Sequence, residues 1–173
     1  MTQELKFTFT PENLAKAREI ISHYPEKRQR SAILALLDMG QIQNGGWISR
    51  EVIEYVADML ETPYIRAYEV ASFYTMFNLK PVGKYHLQVC GTTPCWLRGA
   101  AEIMKVCEQE KENPDFTISE VECLGACVNA PVVQINNEDY YEDLTPEIMA
   151  DIITRLKKGE KIKPGPQTMV GSK

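Results

Sequence analysis

Residues 84–100, KYHLQVCGTTPCWLRGA, change period halfway along, and that change sets the fold. Tyr85, Leu87 and Val89 alternate as the inward positions of a strand do, and Pro94 then presets φ for a first helical turn. Cys90 closes the strand and Cys95 stands just inside the helix. Two thiols separated by four residues at a strand-to-helix junction suit a redox dithiol, half of a zinc site or half of an iron–sulfur site. The pair alone leaves all three open.

Downstream, residues 94–110 keep helical spacing through Leu97, Ala100, Ala101, Met104 and Cys107. FTISEVE (116–122) reads as a second strand and VVQI (132–135) as a third. Asn136-Asn137-Glu138-Asp139 turns the chain into a fourth at Tyr140-Tyr141-Glu142. Thr145-Pro146-Glu147 opens a last helix running to about Lys158. The order β-α-β-β-β-α is a two-layer α/β unit. Beyond it KKGEKIKPGPQTMVGSK is basic, rich in Pro and Gly and poor in large apolar groups, and reads as a solvated or partner-draped tail.

Upstream, the first eighty residues read as helices. Thr10-Pro11-Glu12 is a start signal: a capping hydroxyl, a proline and an acid facing the helix dipole. Leu14, Ala17, Ile21 and Tyr24 follow at helical spacing. Ile33, Leu36, Leu37 and Gly40 make a second stripe that ends at Asn44-Gly45-Gly46. Ser49 caps a third helix with Val52, Ile53, Val56, Met59 and Leu60 on its apolar face. Thr62-Pro63 repeats the start signal before the aromatic-rich YEVASFYTMF (68–77), whose Phe73, Tyr74, Met76 and Phe77 read as core. The expected fold is therefore α+β: a helical bundle at 1–80, an α/β domain with a four-stranded sheet at 81–160 and a tail at 161–173.

Composition narrows the function. Hydrophobic residues make up 44% and charged residues 25% of the 173, the profile of a globular chain. A net charge of −5 argues against nucleic-acid binding, which leaves a basic footprint. No apolar run has the length of a bilayer span. The start MTQELKFTF has neither a signal-peptide apolar region nor an Arg-rich transit character, so the expected setting is a reducing cytoplasm. There, five cysteines are not a disulfide framework. They are ligands, catalysts or core residues.

A second pair stands in EVECLGACVNAPV (120–132), where Cys123 and Cys127 flank Leu124-Gly125-Ala126. Small residues there leave backbone amides free to point at sulfur. Four thiolates hold zinc or an iron–sulfur cluster, both soft-ligand centres. The closely spaced [4Fe–4S] pattern is absent, and a Rieske centre needs two histidines, whereas His23 and His86 lie away from the cysteine pairs. Ligand counting favours [2Fe–2S], two thiolates per iron, and chemistry alone leaves zinc open.

YHLQVCGTTPCWLRGA together with EVECLGACVNAPVVQINNEDYYEDLTPE resembles the thioredoxin-like [2Fe–2S] ferredoxin subunits of NADH:quinone oxidoreductases, the respiratory complex I family. FTPENL, YPEKRQRSAILALLD, QNGGWIS and YEVASFYTMFNLKPVGKYHLQVC resemble the helical amino-terminal part of the same subunits, so the likeness spans residues 8–165. It implies a thioredoxin-like domain behind a helical bundle, with Cys90, Cys95, Cys123 and Cys127 as the ligands of one [2Fe–2S] cluster. It implies further that NADH and FMN sit on a partner subunit, since no glycine-rich dinucleotide fingerprint occurs in this chain. The cluster then exchanges single electrons with that flavin, off the main line of carriers. The implied partners are the flavin- and NADH-binding subunit and other peripheral-arm subunits, with no nucleic acid and no membrane span. The implied place is peripheral to a bacterial inner membrane, on its cytoplasmic side, or the matrix side in a mitochondrion. One departure is the short helix-to-strand link CEQEKENPDF (107–116).

Three other functions compete with this reading. A thiol–disulfide enzyme needs C-x-x-C or one low-pKa cysteine, which C-x₄-C with a matched second pair does not offer. A zinc-stabilised interaction module and the equivalent subunit of an NAD-linked hydrogenase or formate dehydrogenase stay open. Cys107, one turn past Ile103 on an apolar face, reads as a buried thiol and His86 as a sheet residue. Trp96, Leu97 and Arg98 are candidates for shielding the cluster, Trp96 equally for ordinary packing or partner contact, and Ala130-Pro131 for a cis peptide before a strand. Glu120 and Glu122 flank the second pair, and negative charge beside a cluster disfavours its reduction. Glu122→Gln is expected to raise the midpoint potential in a redox titration, and an unchanged midpoint would remove that role.

Overall fold

The computed structural model describes residues 7–168 and divides the chain into two compact units, Met1–Pro81 and Val82–Lys173. Residues 1–6, including most of MTQELKFTF, and the tail end 169–173 lie outside the described residues.

The first unit is helical. α1 (Pro11–Ser22) begins where Thr10 accepts the Asn13 amide at 3.2 Å, and α3 (Arg50–Met59) where Ser49 accepts the Val52 amide at 3.4 Å. Between them a 3₁₀ turn (Gln29–Ala32) leads into α2 (Ile33–Gln43). Leu36, Leu37, Val52, Ile53 and Val56 form the centre of the core, with Phe9, Ala17 and Ala67. Gln41 is buried but satisfied: its amide donates to the Met76 carbonyl at 3.0 Å and accepts from the Asn78 amide at 2.7 Å.

α4 (Tyr64–Phe73) departs from the expected reading in two ways. Pro63, not Thr62, occupies the cap position, and the Thr62 hydroxyl is buried without a hydrogen-bond partner. The helix also stops at Phe73, so the aromatic run is not wholly core. Phe77 is buried, but Phe73 is 77% exposed, and Tyr74 and Met76 also face solvent.

The second unit is an α/β layer pair. β1 (Tyr85–Cys90) pairs parallel with β2 (Phe116–Val121) and antiparallel with β3 (Val133–Ile135), which pairs antiparallel with β4 (Asp139–Glu142). Asn136 and Asn137 both take φ of 58°, the left-handed pair that a tight hairpin requires. The cap at Thr145 accepts the Ile148 amide at 3.3 Å and starts α7 (Pro146–Lys157). The helix expected over 94–110 is two helices, α5 (Thr93–Leu97) and α6 (Ala100–Glu108). The break falls at Gly99, whose φ of +97° is one that side-chain-bearing residues rarely adopt. α6 packs on β1, β2 and α7. Leu87, Val89, Ile103, Cys107, Val133, Met149 and Ile152 fill the layer between. The short link after α6 closes through successive turns, Asn113 to Glu110 and Phe116 to Asn113, and Lys157 pairs with Glu110 at 2.6 Å.

The sheet has five strands, in order β2-β1-β3-β4-β5, rather than the expected four. β5 (Gly165–Pro166) pairs parallel with β4, and Ile162 just before it is buried in the core. Residues 161–168 are thus not a solvated tail: one isoleucine supplies the apolar anchor and edge hydrogen bonds do the rest.

Leu87 is fully buried between sheet and helices. Leu87→Ala is expected to lower unfolding stability by about 2–5 kcal/mol, read from urea denaturation. A loss well below that range would mean the layer is looser than described.

Candidate metal centre

The parallel register of β1 on β2 matches Cys90 with Val121, so the loops after both strands leave the same edge of the sheet. Cys90 ends β1, and Cys123 lies two residues beyond the end of β2. The Gly91 amide ties the two exits by donating to the Val121 carbonyl at 3.1 Å. The residue just before β3 joins them, because the Cys90 amide donates to the Val132 carbonyl at 3.1 Å.

Each pair then has its own geometry. Cys95 sits in α5, and both Cys90 and Cys95 are buried, together with Ala100, Ala130 and Val132. Cys123 and Cys127 are exposed, with their sulfurs 3.4 Å apart. Gly125, at φ of +81°, turns the loop between them, and Cys127 opens a 3₁₀ turn (Cys127–Asn129). The Ala130–Pro131 peptide after that turn is cis. The loop and the α5 start are close enough for all four thiols to influence one another.

That influence appears as one low and one high thiol in each pair. Burial pushes Cys90 up, but hydrogen bonds from the Thr92 hydroxyl, the Thr92 and Leu124 amides and the Cys95 thiol outweigh it and hold Cys90 below the ordinary value. Burial and the bond to Cys90 push Cys95 up to about 11, with the Cys90 and Cys127 charges adding and the Val132 amide opposing. The Gly125 amide and then Cys127 hold Cys123 down. The bond to Cys123 is the main reason Cys127 is pushed up, and the charges of Cys123 and Cys90 add to it. Neighbouring thiolates resist ionising together, so a cation is the natural complement to the set.

Four thiols are the donor set of a soft-metal centre, zinc or iron–sulfur. The four sulfurs form two adjacent pairs, with amides from Thr92, Leu124, Gly125 and Val132 supplying N–H groups to sulfur. Thiolate pairs with hydrogen-bonded sulfurs fit an iron–sulfur cluster.

The two cysteine loops reach across to each other, the Leu124 amide to Cys90 and the Thr92 hydroxyl to Cys123, and the other candidates lie elsewhere. Cys107 is fully buried in the core, and burial pushes its thiol up to about 12. His86 lies in the sheet with its Nε2 2.8 Å from the Ser119 hydroxyl. Trp96 and Leu97 are 64% and 70% exposed, and Val128 beside Cys127 is 92% exposed. The Glu120 carboxylate lies against Gly91, where a Cβ would overlap it, whereas Glu122 is exposed. Sequence reading missed Thr92, whose hydroxyl lies 3.3 Å from the Cys90 sulfur and also acts on Cys123. A hydroxyl two residues after a ligand was the available signal.

A family model for thioredoxin-like [2Fe-2S] ferredoxins matches residues 17–157. One NADH-quinone oxidoreductase subunit, from Rickettsia conorii, is 62% identical over 164 residues, covering 90% of this chain and 98% of that protein. Another, from Rhizobium meliloti, is 50% identical over 176 aligned positions, covering 95% of this chain and 63% of that protein. Among solved structures, an air-oxidized NAD+-reducing [NiFe]-hydrogenase aligns with a TM-score of 0.63 over 75% of this chain and 23% of its own. At 16% identity that likeness is one of fold.

The thiol pattern gives an ordered reactivity in the metal-free protein. Thiolate is the form that attacks iodoacetamide, so a depressed pKa and exposure both favour reaction at pH 8. Cys123 is expected to be modified first and Cys107 last, read by mass spectrometry of timed digests. Equal rates at Cys107 and Cys123 would contradict the described burial.

Proposed function

Because the chain belongs to the thioredoxin-like [2Fe–2S] ferredoxin family, we propose that it is the electron-carrier subunit of an NADH:quinone oxidoreductase, with its cluster held by Cys90, Cys95, Cys123 and Cys127. The observation that carries the ligand assignment is the meeting of two cysteine loops at one sheet edge, as two adjacent pairs. When bound, the cluster stores a single electron between its two irons.

The chain's own residues divide the work by exposure. Cys90 and Cys95, buried against Ala100, Ala130 and Val132, keep water from the inner side of the site. The Thr92, Leu124, Gly125 and Val132 amides offset negative charge on sulfur, which eases addition of an electron. Cys123 and Cys127 open to the surface and give electrons their shortest way in and out.

Trp96, Leu97 and Val128, exposed next to two of those ligands, are the apolar side chains that a partner's surface covers. That partner is the flavin-bearing subunit, to which NADH and FMN belong. The helical unit, Met1–Pro81, then serves docking, with its exposed Phe73 and Tyr74 turned to other subunits. No helix among the described residues is long and apolar enough to cross a membrane.

The hydrogenase alternative rests on a likeness of fold, whereas the Rickettsia conorii quinone-oxidoreductase relative shares most of the sequence. Against a zinc module stands the family: the model that matches residues 17–157 is that of thioredoxin-like [2Fe-2S] ferredoxins.

Chemical analysis after anaerobic isolation tests the reading: iron and acid-labile sulfide in a one-to-one ratio support it, and zinc without sulfide removes it. Val128→Glu is expected to keep the iron and weaken binding to the flavin-bearing subunit by about tenfold or more. Undiminished binding would move the docking surface elsewhere.

A further inference from the structure

The loop that carries Cys123 and Cys127 is held to the sheet at few points. Between Cys123 and Val128 its backbone hydrogen bonds are local: the Asn129 amide donates to the Ala126 carbonyl at 3.1 Å and the Ala130 amide to the Cys127 carbonyl at 3.4 Å. Asn129 breaks that pattern. Its side-chain amide donates to the Glu142 carboxylate at 2.6 Å, and its carbonyl accepts the Asp143 amide at 2.7 Å. The Leu144 amide then reaches the Pro131 carbonyl at 3.3 Å. The 3₁₀ turn that begins with Cys127 is thus clamped on its exit side to the end of β4.

Glu142 is itself fixed from behind. It pairs with Pro166 of β5, and its carbonyl accepts the Gln167 amide at 3.0 Å. Gln167 folds back on its own turn, donating to the Gly165 carbonyl at 2.7 Å and to the Lys163 carbonyl at 3.0 Å. One glutamate therefore joins the carboxy-terminal edge strand, through its backbone, to the exposed cysteine loop, through its side chain. A charge-assisted bond of this length is stronger than the neutral bonds around it. Leu124 and Ala126 pack the front of the loop against Cys90, Cys95 and Val132, whereas Cys127 and Val128 are exposed, so the exit side relies on the Asn129 bonds to fix Cys127.

We propose that Glu142, acting through Asn129, is a positioning residue that holds Cys127 in ligand geometry. The inference rests on the ligand assignment under Proposed function. It adds to that assignment a support which neither cysteine pair contains, and it gives the last strand a task at the metal centre. Residues that orient a ligand from behind govern metal retention by about 10–100-fold in other sites.

The experiment compares the full chain with Glu142→Ala, Glu142→Gln and Asn129→Ala, each loaded with iron and sulfide. It follows iron loss from the oxidised protein to a chelator. Glu142→Ala and Asn129→Ala are expected to lose iron about tenfold faster than the unaltered chain, with a shifted electron paramagnetic resonance line shape after reduction. Glu142→Gln keeps a neutral, weaker acceptor for the Asn129 amide and is expected to lose iron about threefold faster than the unaltered chain, between it and Glu142→Ala. The double variant is expected to be no faster than either alanine variant, since both remove the same bond. Iron loss from Glu142→Ala at the unaltered rate overturns the proposal. So does Glu142→Gln failing as badly as Glu142→Ala, which would show that an acceptor for Asn129 retains nothing. Unreactive Cys107 certifies that each variant is folded, and Asn129→Ala carries the test should Glu142→Ala disturb β4. If the unaltered chain takes up no iron and sulfide, the ligand assignment fails; if it does and the variants match it, only the positioning role fails.

Discussion

Everything at the metal centre depends on two parallel strands in one register. Parallel pairing puts the carboxy-terminal ends of β1 and β2 side by side, so the segments that follow them emerge together. Had the strands run antiparallel, Cys90 and Cys123 would leave opposite edges and could not share a centre. The α6 crossover makes the parallel arrangement possible, and the layer of Leu87, Val89, Ile103 and Val133 holds that helix on the sheet. Core packing thus brings together thiols that electrostatics drives apart.

The opposition between packing and charge shapes the site. In each pair one thiol is drawn toward ionisation by amides while its neighbour is pushed away from it. The buried pair sits among Ala100, Ala130 and Val132, which offer no counter-charge, and the exposed pair sits on a loop that packs on them through Leu124 and Ala126. Loading with metal relieves the repulsion by replacing protons with cations, so folding and cluster binding favour the same conformation. The division into an inner, dry pair and an outer, open pair gives an electron carrier insulation on one side and access on the other.

Much of this was legible in the sequence because the signals are local. Thr10, Ser49 and Thr145 cap the helices their side chains announce, and the cysteine spacing marked the junctions. What escaped depends on tertiary context. A helical stripe continues across Gly99 in projection although the backbone does not, since one residue at positive φ leaves hydrophobic spacing intact. Thr62-Pro63 has the composition of a cap but is shifted by one position. Exposure of Phe73 and Trp96 cannot be read from residue type, because apolar residues in a subunit serve interfaces as well as cores. β5 was hidden because two residues with a proline carry no alternation, and its anchor is a single buried isoleucine. Asn129 and Glu142 lie thirteen residues apart and meet only across a hairpin.

The central claim is that these four thiols together hold two bridged irons that accept one electron. Electron paramagnetic resonance of the anaerobically isolated chain, before and after dithionite, tests it most directly. The account predicts a silent oxidised sample and, on reduction, a rhombic or axial spin-one-half signal that disappears when any one of the four cysteines is replaced by alanine. A colourless chain silent in both states, or a signal that survives replacement of Cys90 or Cys123 by alanine unchanged, would contradict it.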